Sequence, residues 1–150
     1  LSTFEGVSGG QTICHLDYAP WNVLQNNGQI VGIIDFDDLH IGQRIDDLSY
    51  AIWTFLDLGD DNQHLTTDRQ IEHIIELISA YGADIDLTGF IESLIQNQQR
   101  VLKMREEAVS KAVENSDREY QSGKVKLIRN SIDWARRNKK EITQRIKELG

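Results

Sequence analysis

The chain has 150 residues, 39% of them apolar, which is enough for one domain with a packed core and excludes a disordered protein. It carries 16 basic and 24 acidic side chains, and the net charge of −8 argues against a nucleic-acid-binding surface over the whole chain. The acidic excess lies in residues 1–75, whose only basic side chains are Arg44 and Arg69. This half forms either a solvated acidic surface or a cleft that collects metal ions or an amine-bearing substrate.

Cysteine usage and apolar runs indicate the compartment. Cys14 is the only cysteine, so an intrachain disulfide is excluded and a reducing cytoplasm is expected. The pattern favours Cys14 as a small buried strand residue over a nucleophile. There is no membrane-length apolar run and no signal peptide at residues 1–5. The start without Met, close to the polar segment described below, predicts that the chain is a piece of a longer protein.

The first predicted elements are a loop at residues 7–10, a short strand over residues 12–15, and a β-hairpin. Pro20 forces a turn after the first strand. The Asn-Asn-Gly sequence at 26–28 lies between two β-branched runs, a pattern typical of a hairpin turn. Such a hairpin brings Asn22 at its start back beside Asp35 at its end.

After Gly42 the apolar spacing becomes helical. The first predicted helix contains Asp47 and Phe55 and ends at Gly59, and the second is capped by Asp68 and runs to Tyr81. A loop is expected at residues 82–84.

Two long amphipathic helices are predicted to complete the chain, one over residues 88–115 and one from about Asp117. The last helix has an apolar seam interrupted only by Lys139, and its members are Val125, Ile128, Ile132, Ala135, Ile142, Ile146 and Leu149. The seam either packs on the preceding helix, which the short length and the lysine favour, or forms a coiled coil with a partner chain.

The polar residues around the hairpin suit phosphoryl transfer. Asp17 can accept the proton of an attacking hydroxyl, and Asn22 and Asp35 supply hard oxygen ligands for Mg²⁺. Asp37 lies on the same side of an extended chain as Asp35 and can assist the metal, whereas Asp38 points the other way.

Three ordered motifs occur in this region: His-Leu-Asp-Tyr-Ala-Pro-Trp-Asn at 15–22, Ile-Asp-Phe-Asp at 34–37, and Gly-Gln-Arg-Ile-Asp-Asp-Leu at 42–48. Together they resemble the C-terminal lobe of the aminoglycoside phosphotransferase and choline kinase group, within the protein-kinase-like fold. The resemblance implies an α+β, mostly α fold, in which residues 1–60 form the catalytic and metal-binding core and residues 61–150 form a helical subdomain.

The resemblance also implies roles and cofactors. Asp17 matches the catalytic aspartate, Asn22 and Asp35 match the Mg²⁺ ligands, and His15 and Asp47 match residues that support the catalytic loop. ATP is the implied co-substrate. Leu16 stands where many relatives have Gly, and Asp37 replaces the Gly of protein kinases, which favours a small-molecule substrate. No Gly-rich phosphate loop or strand lysine is found. We therefore expect the N-terminal ATP-binding lobe to be absent and the fragment alone to be inactive.

The predicted function is ATP-dependent phosphorylation of a hydroxyl on a small molecule, aminoglycoside-like or otherwise amine-bearing. The alternative is a non-catalytic kinase-like or helical interaction module. Trp21, Trp53 and Trp134 could stack on a ligand, but packing is favoured for each. We expect no nucleic-acid or membrane partner, and a homodimer could form through the C-terminal helices or the surface facing the N-terminal lobe.

Overall fold

The computed structural model describes residues 10–82 and 85–149, so most of the predicted 7–10 loop and part of the 82–84 loop lie outside the described residues. Short strands come first in the chain and long helices follow. The elements are β1 (Gln11–Cys14), β2 (Val23–Asn26), β3 (Gln29–Ile33), β4 (His40–Gln43), α1 (Arg44–Leu56), α2 (Thr67–Tyr81), α3 (Phe90–Lys111) and α4 (Asn115–Lys147). This is the α+β, mostly helical architecture that the sequence predicts.

The predicted hairpin is present as β2 and β3, which pair antiparallel with Val23 opposite Ile33. Asn27 and Gly28 form its turn with φ of 50° and 76°, as a two-residue turn with positive φ at both positions requires. A bulge lies between Leu24 and Gln25. The hairpin therefore returns the chain to its starting end, next to Asn22.

A second strand pair, β1 with β4, was not predicted from the sequence. Cys14 at the end of β1 pairs with His40, and its buried thiol donates to the carbonyl of Gln43 at 3.2 Å. Gly42 has no room for a side chain, because a Cβ there would lie 2.8 Å from Asp46 Oδ2 and 3.2 Å from Cys14 Sγ. The prediction that Cys14 is a small buried strand residue is confirmed.

The ends of α1 and α2 differ from the sequence prediction. Asp57, in the left-handed conformation with φ of 49°, ends α1, whereas the sequence predicted Gly59. Asp is tolerated in this conformation because its short polar side chain is less hindered there than a branched one. Thr66 caps α2 by accepting the N–H of Arg69 at 3.4 Å, so the predicted cap Asp68 lies instead in the first turn.

The long helices pack against each other. The helix predicted over residues 88–115 runs only from Phe90 to Lys111, and α4 begins at Asn115. Five members of the α4 seam, from Val125 to Ile142, are buried within the chain, while Leu149 is exposed. Lys139, which interrupts the seam, is paired with Glu92 of α3. The seam thus packs within the chain, as the favoured interpretation states.

All four helices contribute to the core. Its members are Ile45, Leu48, Ile52, Leu58, Ile71, Ile74, Ile78, Phe90, Ile91, Leu94, Trp134, Ala135 and Ile142. In the described part of the chain, no helix is long and apolar enough to cross a membrane.

A buried polar cluster joins the start of α1 to α3. Ser93 Oγ donates to Asp46 Oδ1 at 2.9 Å and lies 2.9 Å from Ser49 Oγ. Asn97 donates to the Asp46 carbonyl at 2.9 Å and to Ser49 Oγ at 3.0 Å. Because each of these polar groups has a partner, the cluster fixes how α3 lies against α1. It thereby places Arg100, about one turn beyond Asn97, close to the loop that follows β1.

Candidate active site

The loop after β1 carries the first motif and ends in a single 3₁₀ turn over Pro20–Asn22. Pro20 opens this turn, where its missing N–H is not needed. The N–H of Asn22 donates to the carbonyl of Ala19 at 2.9 Å. The turn directs the chain into β2 and leaves the Asn22 side chain buried beneath the loop.

The Asp17 carboxylate is held through both of its oxygens. Tyr50 Oη donates to Oδ1 at 2.6 Å, and Asn22 Nδ2 donates to Oδ2 at 2.7 Å. Trp21 Nε1 lies 3.5 Å from Oδ2, at the limit of a hydrogen bond. An ionised carboxylate can accept about four hydrogen bonds, so Asp17 retains capacity for a further donor.

Asn22 connects Asp17 to the end of the hairpin. Its second amide hydrogen goes to the Asp17 carbonyl at 2.9 Å, so Oδ1 is the only side-chain atom left that could bind a metal. Its own carbonyl accepts the N–H of Ile34 at 3.0 Å. This last backbone contact of the hairpin holds Ile34, the residue before Asp35, against the backbone of Asn22.

The segment after β3 is not extended as the sequence interpretation assumed. Asp35 is exposed and left-handed, with φ of 66°, and residues 37–38 form a turn. The alternation that would place Asp37 with Asp35 and Asp38 on the opposite side holds only for an extended strand, so it does not apply to this segment. Asp38 lies 3.7 Å from Arg100 Nη1. Among residues 10–82 and 85–149, no three acid, imidazole or thiol groups are close enough to hold a metal ion.

His15 contacts both loops. Its Nδ1 accepts the backbone N–H of Asp17 at 3.3 Å, so the proton is on Nε2, which donates to the Ile34 carbonyl at 3.1 Å. The ring lies 4.7 Å from that of Phe36, and the residue is buried. With both nitrogens occupied, His15 links the Asp17 loop to the Asp35 segment.

Asp47, in the first turn of α1, accepts two backbone hydrogens from the Asp17 loop. Oδ2 accepts the N–H of His15 and Oδ1 accepts the N–H of Leu16, both at 2.8 Å. Leu16 is left-handed, with φ of 57°, a conformation that is costly for a bulky residue. The two contacts from Asp47 therefore hold the loop in a shape that it would not adopt alone.

Two residues at this site were missed by the sequence analysis. Tyr50 is buried, and its burial, together with its hydrogen bond to Asp17, raises the pKa of the phenol. Arg100 donates to the Leu16 carbonyl, and its guanidinium carbon lies 5.5 Å from the centroid of the Tyr50 ring. Tyr50 could have been found from its place about one turn after Asp47 on the same helix face. No sequence pattern indicated Arg100, because it lies on a helix 84 positions after Leu16.

The three tryptophans differ in environment. Trp134 is fully buried and Trp53 packs against the core, so the packing interpretation is confirmed for both. Trp21 is 62% exposed, so packing does not account for it. Its indole stands at the surface beside Asp17.

The hairpin and the segment after it expose an unusually apolar surface, which we call the hairpin surface. Its members are Trp21, Leu24, Ile30, Val31, Ile33, Ile34, Phe36, Leu39 and Ile41. Large exposed apolar patches usually mark a contact with another protein surface or a ligand, which makes this segment a candidate for such a contact.

The sequence model of the phosphotransferase enzyme family matches residues 5–86. This is more than half of the chain, and it includes Asp17, Asn22, Asp35, Asp47 and Tyr50. Neither a curated protein nor a solved structure matches the chain.

Proposed function

The chain belongs to the phosphotransferase enzyme family, and from that premise we propose that it serves the ATP-dependent transfer of a γ-phosphoryl group to a hydroxyl of a small molecule. One observation carries the proposal. The Asp17 carboxylate is held by a hydrogen bond at each oxygen, beside Asn22 and next to the segment that bears Asp35. Phosphoryl transfer depends mainly on positioning and on charge neutralisation, and this loop arrangement provides fixed groups for both.

Asp17 is the base in this proposal. It accepts the proton of the attacking hydroxyl as the hydroxyl oxygen bonds to the γ-phosphorus of ATP and the bond from that phosphorus to the departing ADP oxygen breaks. Since Tyr50 and Asn22 each use one lone pair, each oxygen keeps one for a substrate hydroxyl. His15 and Asp47 act only by fixing the backbone next to Asp17.

Asn22 and Asp35 are the proposed Mg²⁺ ligands, with Asp37 as a further candidate. Their oxygens are of the hard type that Mg²⁺ prefers, and the hydrogen bonds of the Asn22 amide leave its Oδ1 as the metal-binding atom. When bound, Mg²⁺ would neutralise the phosphate charge. The few protein ligands agree with Mg²⁺, which keeps several waters and binds substrate phosphates.

An amine-bearing substrate is the proposed acceptor. Residues 1–75 hold the acidic excess of the chain, and Asp37 and Asp38 lie exposed next to the site. The negative potential of these carboxylates attracts a cationic substrate, and the exposed indole ring of Trp21 offers a face on which an amine can stack. The lone buried Cys14 fits a cytoplasmic location.

These 150 residues alone are proposed to be inactive as a kinase. Their sequence has no Gly-rich phosphate loop and no strand lysine to hold the ATP phosphates.

The proposed homodimer would use the hairpin surface, because the α4 seam is buried within the chain. Sedimentation at increasing concentration, with Val31→Lys as the variant, tests that dimer; an unchanged monomer in both proteins contradicts it.

Mn²⁺ titration of the chain tests the metal ligands. We expect partial quenching of the tryptophan fluorescence, to which the exposed Trp21 contributes, that is lost in Asp35→Asn and kept in the control Asp133→Asn, whose aspartate lies exposed on α4. Wild-type quenching that persists in Asp35→Asn would remove Asp35 from the site.

Turnover of the natural full-length protein tests the reaction. With ATP, Mg²⁺ and a panel of amine-bearing alcohols, we expect phosphorylation in the wild type and a loss of at least about 100-fold in kcat for Asp17→Asn, since Asn cannot accept the proton. Full activity of Asp17→Asn would refute the proposed base.

A further inference from the structure

We propose that Tyr50 is a positioning residue for Asp17, holding the carboxylate in one orientation through its phenolic hydroxyl. The inference rests on the proposed function, because that function makes Asp17 the proton acceptor. Tyr50 Oη is 2.6 Å from Asp17 Oδ1, and the tyrosine is only 3% exposed. A buried tyrosine of α1 thus contacts a half-buried carboxylate in the loop after β1.

The two oxygens of Asp17 are held from two different elements. Tyr50 holds Oδ1 from α1, and Asn22 holds Oδ2 from the 3₁₀ turn. Rotation about the Cβ–Cγ bond moves both oxygens together, so hydrogen bonds from opposite sides restrict it more tightly than a bond to one oxygen alone. Tyr50 thus fixes the direction of the lone pairs that would receive the substrate proton, and small errors in such directions slow proton transfer.

Tyr50 is itself well fixed. Its ring meets that of Trp53 edge-on, with centroids 5.6 Å apart, and the guanidinium of Arg100 lies over its face. Arg100 also donates to the carbonyl of Leu16, directly before Asp17. The same cation therefore contacts both the tyrosine ring and the backbone next to the base.

The hydroxyl can act only as a donor to Asp17 at neutral pH. Burial and the neighbouring carboxylate raise the pKa of Tyr50, so the phenol stays protonated. Tyr50 does not exchange protons with the substrate in this arrangement. Its contribution is to orient the Asp17 carboxylate. A Tyr50→Phe variant removes only the hydroxyl and keeps the ring and its packing.

The side-chain amide of Asn22 reports the orientation of Asp17 without any turnover. Its two hydrogens donate to Asp17 Oδ2 and to the Asp17 carbonyl. In a ¹H–¹⁵N correlation spectrum of the chain, we expect the resonances of the two hydrogens on Asn22 Nδ2 to shift upfield in Tyr50→Phe. These hydrogens should also exchange faster with solvent. The control Tyr120→Phe, on the surface of α4, should leave them unchanged. Unchanged Asn22 resonances in Tyr50→Phe overturn the proposal, whatever the activity.

Kinetics provide the second readout. With an acceptor that the natural full-length wild type phosphorylates, we expect Tyr50→Phe to lower kcat about 10-fold while the KM values for ATP and acceptor change by less than about twofold. Altered Asn22 resonances with unchanged kcat would also overturn the proposal. If the wild type phosphorylates no acceptor, the proposed function fails, and the Asn22 resonances alone decide whether Tyr50 orients Asp17.

Arg100→Lys serves as a second variant if Tyr50→Phe does not fold, as judged by circular dichroism. Lys lacks the planar guanidinium that covers the Tyr50 ring and reaches Leu16 at the same time. The Asn22 resonances should shift in the same direction, and their failure to do so in a folded Arg100→Lys variant would contradict the proposal.

Discussion

Replacing Asp47 with Asn should destabilise the fold far more than the change of one atom suggests. The Asp47 carboxylate accepts two backbone hydrogens, from His15 and Leu16, both at 2.8 Å. Asn keeps one acceptor oxygen, but its amide group turns a donor toward the other backbone N–H. One charge-assisted hydrogen bond is lost and the other becomes neutral, and bonds to charged groups contribute about 1.5–3 kcal/mol each. We expect the free energy of unfolding to fall by about 2–3 kcal/mol, because Asp47 is only partly buried.

Urea denaturation followed by circular dichroism measures this loss. Asp133→Asn is the matched control, since it makes the same change of charge at an exposed ion pair whose Arg136 partner is 3.6 Å away. Exposed pairs of this kind contribute about 0–1 kcal/mol. A loss below about 1 kcal/mol for Asp47→Asn, or a loss no larger than that of the control, would refute the assignment of Asp47 as the support of this loop.

Two further predictions concern the β1–β4 pair. Gly42→Ala should lower the free energy of unfolding by at least about 1 kcal/mol, because the new Cβ would lie 2.8 Å from Asp46 Oδ2 and 3.2 Å from Cys14 Sγ. An unchanged urea midpoint would contradict the close approach of these atoms to position 42. Burial, reinforced by Asp47 and Asp46, raises the pKa of Cys14 from 9.0 to about 11, so Ellman's reagent at pH 8 should modify the thiol in urea but not in the native protein. Since the unfolded chain loses the thiol proton first, stability should fall as the pH rises from about 9 to about 11. Cys14→Ala should reduce that slope and leave the part that comes from the raised pKa of Tyr50.

Local signals predicted much of the architecture. The Asn-Asn-Gly turn defined the hairpin because it depends on backbone conformations available within two residues. The apolar spacing of the four helices was sufficient to find each of them. Their ends were less certain, because competing polar residues stood close together, as Thr66 and Asp68 do at the start of α2.

Contacts between distant elements were not predictable from the sequence. The pairing of β1 with β4 joins residues separated by the whole hairpin, and Arg100 reaches Leu16 from 84 positions away. The alternation expected for Asp37 and Asp38 does not apply, because Asp35 leaves the extended conformation. At the candidate site, the motifs contain Asp17, Asn22, His15 and Asp47, which are joined by hydrogen bonds, whereas the contact from Tyr50 to Asp17 required the packed structure.

The contact of Asp47 with the loop also has a consequence for folding. Asp47 lies 32 positions beyond His15 and 31 beyond Leu16, so the loop is held in its final shape only when the start of α1 has docked against it. The amides of His15 and Leu16 should therefore exchange with deuterium only when α1 separates from the loop, and not by local fraying. The segment that carries Asp17 therefore shares the opening free energy of the helix that holds it.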